Sequence, residues 1–321
     1  MERAAISVDG LGKRFGSLVA LDELTFEVRP GEVFGLLGPN GAGKTTVIRI
    51  LTTILPPSAG RAEVLGHDVV REAAVVRRLI GLAGQYAAVD PNLTGRENLR
   101  LIGRLTRLAH ARIRPRASAL LHRFDLVAAA DRPVRTYSGG MRRRLDVAAA
   151  LVAEPPLLFL DEPTTGLDPQ SRNALWGLIR ELVSDGTTVL LTTQYLEEAD
   201  QLAERVVVVD EGRLIADDTP AALKARLGNT VIELDMGDRH RAEAAAATVG
   251  RRLGAATEVD GPRLRLPSRN AFALLRGLLN LLEADGLVPR NVTVRESSLD
   301  DVFLALTGHR TGTGAAPGEP E

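Results

Sequence analysis

Apolar and polar positions change their spacing several times along the chain. Over residues 6–29, short runs such as Leu24-Thr25-Phe26-Glu27-Val28 alternate in β fashion around turns at Gly16 and Pro30-Gly31. Val33–Leu37 is an apolar run followed by Gly38 and predicts a buried strand, and residues 44–55 then carry Val47, Ile48 and Leu51 at helical spacing. Residues 96–108 and 113–126 predict two amphipathic helices with no strand between them, a helical insertion. Apolar runs at 157–160, 187–192 and 206–209 predict further strands, with a helix at 171–183 and a turn at Asp210-Glu211-Gly212. Buried strands alternating with helices predict an α/β core around a largely parallel sheet.

After Gly228 the pattern shifts. A run at 231–234, an alanine-rich stretch at 241–249, runs near 256–259 and 263–266, an apolar helix at 271–282 and a strand at 292–294 follow in the order βαββαβ. That order predicts a small ferredoxin-like α+β unit, with a last helix at 298–306. The expected domains are therefore 1–227, with the insertion at about 86–153, and 228–307. The Gly/Pro/Ala/Glu-rich segment 308–321 is expected to be a disordered tail.

Composition narrows the classes. A chain of 321 residues with 45% apolar and 25% charged residues is ordinary for about two globular domains, and a net charge of −1 offers no general attraction to nucleic acid or anionic membranes. With no cysteine, disulfides, thiolate metal sites and a cysteine nucleophile are excluded. Asp9 and Lys13-Arg14 break any signal-like apolar stretch, so no secretory leader is expected. The most apolar segment, 147–160, contains Glu154, Pro155 and Pro156 and falls short of the ~20 apolar residues a spanning helix needs. If the protein serves transport, another chain must form the pathway.

The strand at 33–37 runs into Gly38-Pro39-Asn40-Gly41-Ala42-Gly43-Lys44-Thr45-Thr46 and then a helix, which is the setting of the G-x-x-x-x-G-K-[ST] phosphate loop. Backbone N–H groups at such a helix start favour anions, Lys44 suits the β/γ-phosphates, and Thr45 suits Mg²⁺. Lysine occurs only at Lys13, Lys44 and Lys224 in this arginine-rich chain, and one of the three falls where a compact ammonium is wanted. By contrast, Gly10-x-Gly12-x-x-x-Gly16 nearly spells a dinucleotide fingerprint, but its last glycine is one residue late and no helix follows, so it reads as a turn between strands. Asp161 and Glu162 directly follow Leu157-Leu158-Phe159-Leu160, where adjacent carboxylates point to catalysis, with Glu162 as base or polariser of water. Ser138 is a candidate N-cap for a helix opened by Gly139 and Gly140. Arg142-Arg143-Arg144 reads as an exposed helix turn.

Taken in order, the phosphate loop, Tyr137-Ser138-Gly139-Gly140-Met141 and the strand ending Asp161-Glu162-Pro163 resemble the ATP-binding subunit of ABC transporters. The resemblance covers residues 6 to about 227. It implies that Phe15 stacks on adenine where the family commonly has tyrosine, and that Asp161 orients Mg²⁺ through water. It further implies that Gln85 meets Mg²⁺ and reports nucleotide state to a membrane partner, that Asp168 contacts a second subunit, and that Ser138, Gly139 and Gly140 close over ATP bound to that subunit. Tyr137 and Met141 depart from the commoner Leu-Ser-Gly-Gly-Gln, leaving the backbone donors intact. Gln194 stands where most members have a histidine on the γ-phosphate. Glutamine can donate a hydrogen bond but cannot become cationic, so base work would fall to Glu162.

A narrower resemblance lies in Gln194-Tyr195-Leu196-Glu197-Glu198-Ala199-Asp200, the extra domain, and Leu299-Asp300-Asp301-Val302-Phe303-Leu304-Ala305-Leu306-Thr307-Gly308, which are similar to the daunorubicin/doxorubicin resistance ATPases. This implies an ATP- and Mg²⁺-dependent ATPase at the cytoplasmic face of the membrane, docked on a separate permease, acting as a dimer of itself and exporting a drug-like molecule. Export of a lipid or glycan is the alternative within transport. A soluble ABC ATPase acting on ribosomes or DNA would usually carry two cassettes or a long coiled coil. A nucleotide-binding regulator without turnover could dispense with Glu162.

Overall fold

The computed structural model describes residues 3–84, 89–227, 230–255, 257–268 and 270–307. They divide into two compact units, the first ending at Thr219 and the second beginning at Pro220. In the first, β1 (Ile6–Phe15) and β2 (Leu18–Val28) make an antiparallel hairpin that turns at Gly16, and their alternating burial is the period-two pattern of a half-covered sheet. Then follow β3 (Val33–Leu37), the phosphate loop and α1 (Lys44–Leu51), β4 (Ala59–Val64), β5 (His67–Asp68), α2 (Ala73–Leu79) and β6 (Ile80–Ala83). The helical insertion holds α3 (Gly95–Leu105), α4 (His110–Arg123) and α5 (Gly139–Ala150). Thr94 and Glu97 close α3 reciprocally: the Thr94 hydroxyl accepts from Glu97 N–H at 3.2 Å, and the Glu97 carboxylate accepts from Thr94 N–H at 2.9 Å.

The chain returns through β7 (Leu157–Asp161), α6 (Pro169–Ser184), β8 (Thr188–Thr193), α7 (Leu196–Leu202), β9 (Arg205–Asp210) and β10 (Arg213–Asp218). The main sheet has the order β10-β9-β3-β8-β7-β6 and is parallel except for β10. All residues of β3, β7 and β8 are buried, because helices cover both faces of a parallel sheet, and this is why those strands read as unbroken apolar runs. The edge strand β6 mixes buried and half-buried positions, and β10 is exposed at Arg213 and Ile215 and buried only at Ala216. They went unpredicted for that reason. The hairpin sheet, ordered β2-β1-β4-β5, shares its core with α1 and the main sheet through Leu24, Phe26, Phe34 and Ile48.

The second unit runs α8 (Pro220–Leu227), β11 (Thr230–Asp235), α9 (Arg239–Leu253), β12 (Glu258–Asp260), β13 (Arg263–Ser268), α10 (Ala271–Ala284), β14 (Asn291–Glu296) and α11 (Leu299–Thr307). Its antiparallel sheet has the order β12-β13-β11-β14, the ferredoxin-like arrangement that the βαββαβ order predicts. Ile232, Leu234, Leu264 and Leu266 face Ala242, Ala245 and Val249 of α9 and Leu278 and Leu282 of α10. Residues 220–227, expected to close the first domain, group instead with the second unit, where α8 packs against α11. The tail from residue 308 lies outside the described residues.

Candidate functional site

The site begins where β3 passes into α1. Gly43 caps α1 in the left-handed region at φ 103°, and a Cβ there would sit 2.7 Å from the Ala20 carbonyl oxygen, so only glycine fits. The turn sets Lys44 as the first helical residue and buries it to 4% exposure. Its Nζ donates to the carbonyls of Gly38 at 2.7 Å and Pro39 at 2.9 Å and stands 3.6 Å from Glu162 Oε1. Burial pulls the Lys44 pKa below its ordinary 10.5, and the charges of Glu162 and Asp161 oppose that shift.

The carboxylates arrive at the end of β7, the neighbour of β8 in the sheet. Asp161 Oδ1 accepts from Thr45 Oγ1 at 3.4 Å and from Thr192 Oγ1 on β8. Glu162 adopts φ 48°, a left-handed conformation that costs a non-glycine residue on the order of 1 kcal/mol. Such strain persists only where the surroundings over-determine it. Here the Glu162 N–H donates to Thr192 Oγ1 at 3.0 Å and to Thr192 O at 3.1 Å, and the Glu162 carboxylate accepts from Thr165 Oγ1 at 3.3 Å.

Phe15, Asn40, Gly41, Gly43, Lys44, Thr45, Thr46, Glu162 and Gln194 line one cleft of about 520 Å³. Phe15 is 45% exposed and carries the Lys13 ammonium 5.2 Å from its ring centre, a surface open to a base rather than a core phenylalanine. Gln194 follows the end of β8, partly exposed. Asp161 lies behind the cleft on the buried sheet, and Gly38, Pro39 and Ala42 form the back of the loop. Gln85 lies outside the described residues.

Ser138, Gly139 and Gly140 do not line this cleft. Ser138 Oγ accepts from Met141 N–H at 3.2 Å and caps α5. A Cβ on Gly139 would meet nothing within 4 Å, whereas one on Gly140 would collide with the Ser171 hydroxyl. Gly139 therefore faces open space and Gly140 lets α5 lie close to α6. Asp168 caps α6 by accepting from Ser171 N–H at 2.8 Å and Ser171 Oγ at 2.7 Å, and the backbone donor lowers its pKa below 3.8.

The expectation for Arg142-Arg143-Arg144 needs correction, for only Arg142 is exposed. Arg144 donates to the Phe124 carbonyl at 3.0 Å. Arg143 turns inward beneath the carboxylates, and burial lowers its pKa. Three other residues also escaped the sequence: Thr192, which holds both Asp161 and Glu162, and the pair Trp176 and Glu198. Glu198 is fully buried, takes the Trp176 indole N–H at 3.1 Å, and has its pKa raised by burial. A polar residue inside an apolar run (Thr192) and an acid on the inner side of an amphipathic helix (Glu198) were the available signals.

A buried lysine at a helix start, a hydroxyl beside it and two carboxylates at a neighbouring strand end define a phosphate-loop nucleotide hydrolase. The ABC transporter family matches residues 21–165. The daunorubicin resistance ATP-binding protein DrrA3 of Streptomyces coeruleorubidus is 53% identical over 308 residues, covering 96% of this chain and 97% of that protein. The Nod factor export ATP-binding protein I of Ralstonia nicotianae is 41% identical over 304 residues, covering 94% of each. A solved dimeric ATP-binding cassette in a post-hydrolysis state, bound to ADP and Pi, superposes with a TM-score of 0.61 at 25% identity, covering 67% of this chain and 98% of that one. The chain belongs to the ABC transporter ATP-binding family, among its daunorubicin/doxorubicin resistance ATPases, and it is an ATP-binding ATPase.

Proposed function

We propose that this ATPase powers a separate membrane permease in exporting a drug-like molecule, working as a dimer at the cytoplasmic face of the membrane. The observation that carries the catalytic part is the meeting of Lys44 Nζ, Thr45 Oγ1, Asp161 Oδ1 and Glu162 Oε1, linked by separations of 3.6 and 3.4 Å. Lys44 would balance the β/γ-phosphate charge, and Glu162 would polarise the attacking water. Gln194 would donate to the γ-phosphate, and Phe15 would stack on adenine. Thr45 and Asp161 are hard oxygen donors that suit magnesium, Thr45 directly and Asp161 through water, and the ion would neutralise phosphate charge when bound. Gln85 belongs to the same proposal.

Dimerisation is supported by the open face at Gly139 beside the Ser138 cap: a helix start suits an anion, here the γ-phosphate held by a second copy. Asp168 would meet that copy. Among the described residues no helix is long and apolar enough to cross a membrane, so a transport pathway needs a partner. A cleft of about 950 Å³ suits a permease segment: Ile80, Leu82 and Leu105 line it, the last 72% exposed, with Arg77, Arg78, Arg107 and Arg112 around them. That combination favours an amphipathic helix bearing carboxylates.

Export of a drug-like molecule follows from the names of the resistance ATPases at about half identity over the full chain. The Nod factor relatives keep a lipid- or glycan-like cargo as the second reading. The discriminating experiment reconstitutes the chain with the membrane protein encoded beside it and measures ATP turnover against candidate cargoes. An anthracycline is expected to stimulate turnover only with the permease present. Stimulation by a lipid-linked glycan and not by the drug would favour the second reading. Equal activity without any membrane partner would count against transport.

A further inference from the structure

Arg143 makes contacts that no role described so far uses. It lies on α5, the helix whose first turn is Ser138-Gly139-Gly140, and its guanidinium reaches across to two other segments. Nε donates to the Pro163 carbonyl at 2.7 Å, and Nη2 donates to the carbonyls of Asp161 at 2.9 Å and Glu162 at 3.0 Å. Nη1 donates to the Gly84 carbonyl at 2.6 Å and to Asp146 Oδ2 at 3.4 Å. Backbone carbonyls normally engage other backbone groups. Here a single planar fork satisfies three consecutive ones at the strand end and a fourth from the segment after β6.

We propose that Arg143 is a positioning residue for ATP hydrolysis, holding the Asp161-Glu162-Pro163 turn in its left-handed shape and tying it to α5 and to Gly84, the residue before Gln85. The peptide units on either side of Glu162 are thereby fixed separately: Thr192 takes the N–H, and Arg143 binds the C=O. Without Arg143, the Glu162 C=O keeps among the described residues only the longer bond from Thr165 N–H, at 3.4 Å, to hold the turn at φ 48°, and the carboxylate loses its aim at the cleft. The same side chain gives the helix that faces a second copy a direct mechanical link to the base in its own copy. Lysine, a point charge, cannot span four carbonyls as a guanidinium does.

This inference rests on Glu162 acting in hydrolysis, and a double-mutant cycle on the full chain separates the two ideas. Turnover and ATP affinity are measured for wild type, Arg143→Gln, Glu162→Gln and the double variant. Arg143→Gln is expected to lower kcat by about 10- to 10²-fold, as small misplacements of a reacting group do, with ATP affinity within about twofold of wild type. In the Glu162→Gln background it should cause no further loss, since it acts through that side chain. A loss that multiplies in that background overturns the proposal, because general destabilisation would behave so. So does an Arg143→Gln enzyme with wild-type turnover. Wild-type turnover in Glu162→Gln alone removes the role of Glu162 and this inference with it. If Arg143→Gln does not fold, Arg143→Lys carries the comparison: reduced kcat at unchanged affinity supports the fork, and full activity overturns it.

Discussion

Lys44 Nζ stands 3.6 Å from Glu162 Oε1, although 118 positions separate the two residues, and that pairing sets the cation of the phosphate loop against the carboxylate beyond the strand. The ammonium is almost fully buried, burial lowers its pKa, and the charges of Glu162 and Asp161 oppose that shift.

Lys44→Ala should weaken ATP binding by roughly 10²-fold, because the phosphates lose a charged donor worth about 1.5–3 kcal/mol. Isothermal calorimetry checks this. Unchanged affinity would remove the phosphate-loop role.

Glu162→Gln should bind ATP normally and turn it over about 10²–10⁴-fold more slowly, since an amide orients water but does not polarise it as a carboxylate does. With hydrolysis slowed, an ATP-dependent dimer should appear in light scattering. A variant that stays monomeric at saturating ATP would speak against a site shared between copies.

Gln194→Ala should lower turnover by roughly 10- to 10²-fold if its amide donates to the γ-phosphate, and Gln194→His should preserve or modestly raise it. The wild-type rate should show no inflection near ~6.5, the ordinary histidine pKa, because no imidazole takes part. Steady-state kinetics across pH settles both points. Wild-type affinity and turnover in Gln194→Ala would make the residue a bystander at the strand end.

Glu198 predicts a stability trend with pH. Burial raises its pKa above the ordinary 4.5, so the folded chain holds a proton that the unfolded chain releases. That contribution is complete below 4.5 and declines as pH rises through the folded value. Glu198→Gln keeps an acceptor for Trp176 Nε1 and removes the charge. Thermal unfolding at pH 5 and pH 8 should show the wild type losing more stability at the higher pH than the variant. Equal losses would exclude Glu198 as the source.

Ending the chain at Thr219 should leave a folded unit that binds ATP, since Phe15, the phosphate loop, Asp161, Glu162 and Gln194 all precede it. Ending it at residue 227 should give a less soluble product, because Leu223, 1% exposed in the full chain, belongs to the helix that packs on α11. Circular dichroism and nucleotide binding on both truncations test the boundary. A Thr219 product that folds without binding ATP would show that the second unit supports the site.

How much of the site was legible depended on how local its physics is. The phosphate loop is one continuous stretch whose cradle arises from successive backbone conformations, so Gly38 to Thr45 announce it. Asp161 and Glu162 were visible because an unbroken apolar strand ends in acids, and the βαββαβ order sufficed to predict the second sheet. Arg143 was misjudged: one-dimensional charge patterning treats three adjacent arginines alike, while a helix sends them in different directions.

The sequence by itself determined the class of protein, the order of its motifs, the strands buried on both faces and the candidate phosphate-binding and carboxylate residues. Those properties live in runs of neighbouring residues and in the periodicity of burial. Only the tertiary structure decided that α8 joins the second unit, that Thr192 braces Asp161 and Glu162, that Trp176 seals Glu198, and that Arg143 binds three carbonyls at the catalytic strand end. Those contacts link groups far apart along the chain. Sheet order and helix packing, not spacing, bring them within hydrogen-bonding reach.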